Sequence, residues 1–389
     1  GVLADYYDLI KHDETKRALI EGKFMKNGNL QWIHNLRKTH DISINMKSNT
    51  LMIIGECNMD IGCSLSAFRK QSGIRLWKVN LHQLQDIVYG EDSGGMVLIV
   101  GKEYDELNFG EDGRLLDLEK IKWAYKILLI DPLAGTISSE HVLWENDHKN
   151  FDFKKFYTFG DIYLLDASID QIRQLQAFDK KTGAVKWVQT YTEDLFIRSK
   201  PIDIIQYNTN IIVPLGETLE YINQSDGEHI WSFEYTDDID GIKYLREDGL
   251  DNETLSFISD DDEYVVFDLI GHEFIFQEEI ESDEAIRIHY VDSKYIMGYN
   301  TYGYIALYAK TEDNLEKVWS KHDDSIEFLI SNEEVVYIFN LDNLLLEAVD
   351  FYHGNILNTY NLIWEPENIV VDKKYLGCFN DRKLYFLNL

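Results

Sequence analysis

One unit recurs along this chain and limits what it can fold into: a strand, a turn built on a glycine, and a return strand carrying a tryptophan. Its fullest copy is LQAFDKKTGAVKW, Leu175 to Trp187. Leu175, Ala177 and Asp179 alternate with Gln176 and Phe178 at the two-residue period of a strand. Lys180 to Gly183 reads as a turn in which Gly183 takes positive φ without steric cost. Asp179, four positions before the glycine, is placed to cap the turn with its own carboxylate. Trp187, four positions after it, is large and mostly apolar, and it is placed to pack between neighbouring units with its N–H bonded at the rim.

Other copies align on the turn glycine. Gly28 precedes Trp32 and Gly73 precedes Trp77; Asp131 precedes Gly135; Asn223, Gly227 and Trp231 form one copy; Asp350 and Gly354 form another. Asp268 and Gly271 read as a turn one residue tighter, and Asn314 stands in for the glycine ahead of Trp319. Arg69 occupies an Asp position, and Ser139, Ile275 and Asn358 occupy Trp positions. The turns fall at positions 28, 73, 135, 183, 227, 271, 314 and 354. Every interval between them lies in the forties except the longer one from Gly73 to Gly135. A period in the forties with strand-rich content marks a four-stranded propeller blade. The competing architecture is a β-sandwich with regular hairpins.

The units follow AxDxxTGxxxW, in full at Ala177 to Trp187. Over residues 24–389 the chain resembles the quinoprotein-dehydrogenase-like (PQQ-like) β-propeller repeat family, as a non-enzymatic member. With the eight turns, the expected fold is all-β: an eight-bladed β-propeller of four-stranded antiparallel blades. Residues 366–389 read as three short strands lacking a fourth, so the strand around Trp32 is expected to complete that last blade and remove an open edge. Residues 1–23 fall outside the repeat as an N-terminal extension, helical from Asp13 to Gly22. Residues 24–389 are expected to form one propeller domain. The long interval from Gly73 to Gly135 holds an insertion, Lys102 to Lys126, with an amphipathic helix expected over residues 111–126.

Charge narrows the partners. There are 69 acidic and 37 basic residues, for a net charge of −32. Such a field repels nucleic acid and anionic membranes, and favours either plain solubility or a basic protein partner. No apolar run reaches the length of a transmembrane helix. Residue 1 is Gly rather than Met, read as a processed or trimmed N-terminus, which leaves cytoplasmic and exported locations both open. Cys57 and Cys63 flank a hairpin loop. They read first as two reduced thiols, with a disulfide as the alternative in an oxidising compartment. Cys378 reads as core.

Catalytic signatures are sparse. Quinone-dependent relatives use an adjacent-Cys disulfide, an Asp base and a calcium ion; this chain has no adjacent Cys pair, so the resemblance implies the repeat and no cofactor is expected. Calcium has one candidate, Thr236 to Glu247, where Asp238, Asp240 and Glu247 fall at EF-hand-like positions with Gly241 at the turn. Thr236 at the first position and Lys243 at the eighth depart from that pattern, and an acidic interblade loop is the first reading. No HExxH, GxSxG, P-loop or dinucleotide fingerprint occurs. Enzymatic activity is left undecided, with a non-catalytic role preferred. The leading expectation is a propeller scaffold for protein–protein interaction, with a basic partner. The alternatives are an acidic inhibitor or immunity-type binding protein, and an enzyme or lectin acting on a carbohydrate at the axial pocket.

Overall fold

The computed structural model describes residues 30–35, 42–46, 51–57, 62–104, 123–145, 151–170, 172–191, 202–215, 218–234, 242–280, 287–300, 302–332, 334–340, 342–362, 368–371, 375–380 and 383–388. Among them every regular element is a strand except one 3-10 turn, Glu247–Gly249. The chain divides into two compact units, residues 1–149 with 360–389, and residues 150–359.

A first blade pairs Ile42–Met46, Leu51–Glu56, Cys63–Arg69 and Arg75–Leu81 in sequence order. A second pairs Leu84–Ser93, Met96–Tyr104, Trp123–Ile130 and Ile137–Glu145. Third to seventh blades follow over residues 151–191, 205–234, 242–279, 287–322 and 326–361. One more sheet is assembled from both ends of the chain. In it Leu30–Asn35 pairs antiparallel with Lys383–Asn388, and the order continues through Tyr375–Asn380 to Asn368–Val371. The backbone of Trp32 sits opposite Phe386 in that pairing.

The expected eight-bladed propeller of uniform four-stranded blades is therefore corrected. The fold is an all-β propeller with seven blades, each continuous in sequence; six have four strands and the fifth has five. The composite sheet is a different construction, with its first strand at the opposite end of the chain from the other three. The extra strand of the fifth blade has a local cause. The 3-10 turn Glu247–Gly249 interrupts its leading strand, so Ile242–Tyr244 and Leu250–Asp251 pair separately with Thr254–Ser259.

Burial explains the sequence pattern. Middle strands are covered on both faces and read as continuous apolar runs, such as Leu51–Glu56 and Glu263–Asp268. Fourth strands alternate, as in Glu273–Glu279, where every second residue is exposed. Neighbouring blades pack face to face. In the first unit Ile53, Leu65 and Ala67 meet Val97, Ile99 and Leu128 in one buried cluster. In the second, Ile212 and Leu219 share a cluster with Phe257, Val265 and Phe267.

Three further expectations change or fall outside view. The insertion is narrower than Lys102 to Lys126, because Lys102 pairs with Tyr125 and Gly101 with Lys126 inside the sheet. Residues 123–126 are consequently strand rather than helix. The rest of that expected helix, and the helix expected within residues 1–23, lie outside the described residues. Cys57 and Cys63 are joined in a disulfide, with Cα atoms 3.9 Å apart, rather than standing as two thiols. The pairing of Glu56 with Ser64 sets the two cysteines opposite each other across the hairpin. Cys378 is buried.

Candidate functional site

The repeat residues form a joint between blades. Asp179 accepts hydrogen bonds from the backbone N–H groups of Lys181 and Thr182 (3.1 and 2.8 Å) and from the Thr182 hydroxyl (2.8 Å). Those bonds, led by the Thr182 N–H, hold its carboxyl below the usual range. Asp131 and Asp350 cap their turns in the same way. The residue four positions on closes each turn with its own N–H, and Gly135, Gly183, Gly227 and Gly354 all have φ near +70°. Three of these glycines are constrained by the blade before them, and a Cβ on Gly135 would lie 2.6 Å from the Trp77 ring. A Cβ on Gly227 would lie 2.8 Å from the Trp187 ring, and one on Gly354 would lie 2.8 Å from Trp319. The indole N–H groups of Trp77, Trp187 and Trp319 donate to the carbonyls of Pro132, Gln224 and Phe351 at 2.8, 2.9 and 2.8 Å. Each acceptor immediately follows the Asp or Asn of the next turn. The tryptophan therefore spans to the neighbouring blade, and the glycine leaves room for its ring.

The turns of the fifth and sixth blades differ from the sequence expectation. The fifth is not one residue tighter. His272 N–H bonds to the Asp268 carbonyl (2.9 Å), and His272 itself adopts φ +55°. Its ring then lies against Trp231 in a tilted contact, with centroids 4.4 Å apart. This shift moves the tryptophan position from Ile275 to Phe276, which sits opposite Val266 just as Trp231 sits opposite Tyr221. In the sixth blade's turn Asn314 is not left-handed; the Thr311 hydroxyl accepts its N–H (3.1 Å) and the turn closes on Thr311.

The calcium candidate falls mostly outside the described residues. Asp238 and Asp240 lie outside them. Glu247 is exposed at the start of the 3-10 turn, and Lys243 pairs with Asp262. A buried ion pair does occur in the third blade. Arg173 donates through Nε and Nη2 to Asp166 at 3.0 and 2.8 Å, a bidentate geometry that fixes two neighbouring strands.

The fifth blade stands out by its charge. From Glu247 to Ile286 the sequence is dense in Asp and Glu and contains no Lys or Arg. Its register sets carboxylates directly opposite one another, Glu263 facing Glu279 and Asp268 facing Glu273. Like charges opposed in this way destabilise a sheet. Apolar side chains are exposed among them, Ile270 at 62% and Ile275 at 50%. Where the blade meets the sixth, a groove of about 290 Å³ is lined by Glu278, Glu279, Ile280, Tyr308, Leu315 and Lys317. Phe276 holds the tryptophan position at this junction, with Lys310 of the sixth blade 5.0 Å above its ring. Burial, and then the neighbouring Tyr304, push the Tyr308 hydroxyl up to about 12, so it is neutral in the groove wall. Net charge alone did not locate this surface; a charge count taken blade by blade does.

A protein-family model, PQQ_2, described as outer membrane protein assembly factor BamB, matches residues 134–242. That stretch holds the full motif copy. No curated protein matches. Among solved structures, BamB from Moraxella catarrhalis is 12% identical with a TM-score of 0.57, covering 92% of this chain and 99% of that one. The quinohemoprotein alcohol dehydrogenase ADHIIG from Pseudomonas putida HK5 is 10% identical with a TM-score of 0.56, covering 92% and 76%. Sqt1 from Saccharomyces cerevisiae is 10% identical with a TM-score of 0.56, covering 92% and 98%. The likeness is one of fold. It spans an assembly factor and a dehydrogenase, so function has to come from the chain's own surface. No helix among the described residues is long and apolar enough to cross a membrane.

Proposed function

We propose that this chain is a non-catalytic protein-interaction scaffold whose acidic surface receives a basic partner. The observation carrying this reading is the fifth blade, which from Glu247 onward is dense in carboxylates and holds no Lys or Arg. The carboxylates gathered on this blade present a negative surface that attracts a cationic partner. The match over residues 134–242 to a family described as an assembly factor supports a role in binding proteins. The framework suits that role, since tryptophan joints tie the third blade to the fourth and the sixth to the seventh at their turns.

Affinity capture with the intact chain tests this reading. A stoichiometric basic protein is expected at low ionic strength, released as salt approaches about 0.5 M, where the Debye length falls to a few ångströms. Failure to retain any protein at low salt would refute the scaffold function.

A further inference from the structure

We infer that the last strand of the fifth blade, Glu273–Glu279, is the docking edge, and that its occupant is a basic, extended segment of the partner that pairs with it as an added strand. This rests on the scaffold reading and specifies where and how the partner binds. Four observations converge on it. Glu273–Glu279 ends the strand order of its sheet, so among the described residues its outward backbone groups face no further strand. Glu273, Ile275, Gln277 and Glu279 are the exposed residues of the strand, which offers an incoming strand two carboxylates with an apolar contact between them. Both of those carboxylates face a second one across the hairpin, Asp268 and Glu263 respectively. Lysine or arginine side chains spaced along the new strand would neutralise these pairs. The groove at the Glu279 end is lined by Ile280, Tyr308 and Leu315 together with Glu278 and Lys317, and is large enough for one side chain of the same segment.

Nearby fourth strands lack this combination. Val185–Tyr191 carries Lys186, Leu315–His322 carries Lys317 and Lys321, and His229–Glu234, which has no lysine, carries the single carboxylate Glu234. Lysines on an edge strand discourage the addition of another strand. Exposed carboxylates also discourage a neutral or acidic strand, so the fifth-blade edge selects for cations rather than for any extended chain.

The test uses the intact chain and three labelled synthetic peptides, read by fluorescence anisotropy: alternating Lys and Val, alternating Glu and Val, and the Lys–Val peptide N-methylated on alternate amides. The Lys–Val peptide is expected to bind and the Glu–Val peptide not to. The N-methylated peptide keeps its charge but loses the ladder hydrogen bonds, and should bind at least about tenfold more weakly. Glu273→Lys with Glu279→Lys should weaken the Lys–Val peptide at least about tenfold, whereas Glu234→Lys on the fourth blade should change binding less than about twofold. Equal binding of the parent and N-methylated peptides would overturn strand addition. Equal binding by wild type and the double charge reversal would overturn the location. The N-methylation arm needs no variant and stands even if the double reversal does not fold. If a native partner is captured equally by wild type and the double reversal, the docking edge is wrong while the scaffold reading survives.

Discussion

Single residues decide how firmly adjacent blades are joined. Trp187 is 7% exposed and is bonded through its N–H to Gln224, whereas Trp231 is only partly buried and lies on the His272 ring. Trp187→Ala is expected to cost about 3–5 kcal/mol and Trp231→Ala distinctly less, as chemical denaturation of both variants will show. A second residue prediction concerns His289. Desolvation, reinforced by the positive charge of Arg246, lowers its pKa to about 4 from 6.5. The unfolded chain therefore binds a proton first as pH falls, so this contribution is complete above pH 6.5 and is lost towards pH 4. After allowance for partial exposure the loss is about 2 kcal/mol. Melting curves at several pH values should show His289→Gln flattening the dependence between those limits.

At the scale of elements, the hairpin and its turn are the repeating part, and they were the most legible. Asp–turn–Gly–Trp is a local pattern: the carboxylate caps its own turn and the glycine occupies a left-handed position in that same turn. The fifth blade's turn shows where local reading fails. Glycine invites assignment as the left-handed residue, but Gly271 is bypassed and His272 takes that conformation, where its ring covers Trp231. The gain comes from the preceding blade and has no trace in the local pattern. The second hairpin of the first blade carries the Cys57–Cys63 bond. Closing so short a loop is expected to stabilise by about 2 kcal/mol. Comparing midpoints of unfolding with and without reductant checks this, and a double Cys→Ser variant should match the reduced protein.

For the whole molecule, the composite sheet ties the two ends of the chain together. Deleting residues 24–37 would leave Lys383–Asn388 as an open edge. The truncated chain is expected to melt about 5 °C lower or more, and light scattering should report its edge-driven association. The sequence by itself determined the all-β class, the period of the blades, the capped turns and the acidic character. All of these follow from residue type at fixed local spacing, or from a sum over the chain. Tertiary structure decided the blade count, because whether a sheet is one continuous blade or a composite depends on which distant strands pair. It decided that His272 rather than Gly271 turns the fifth hairpin, and that Cys57 and Cys63 are bonded. It also set Glu263 against Glu279 and Asp268 against Glu273 beside a groove of mixed polar and apolar lining. Cross-strand register and the packing of one blade on the next fix those relations, and neither is encoded within any single repeat.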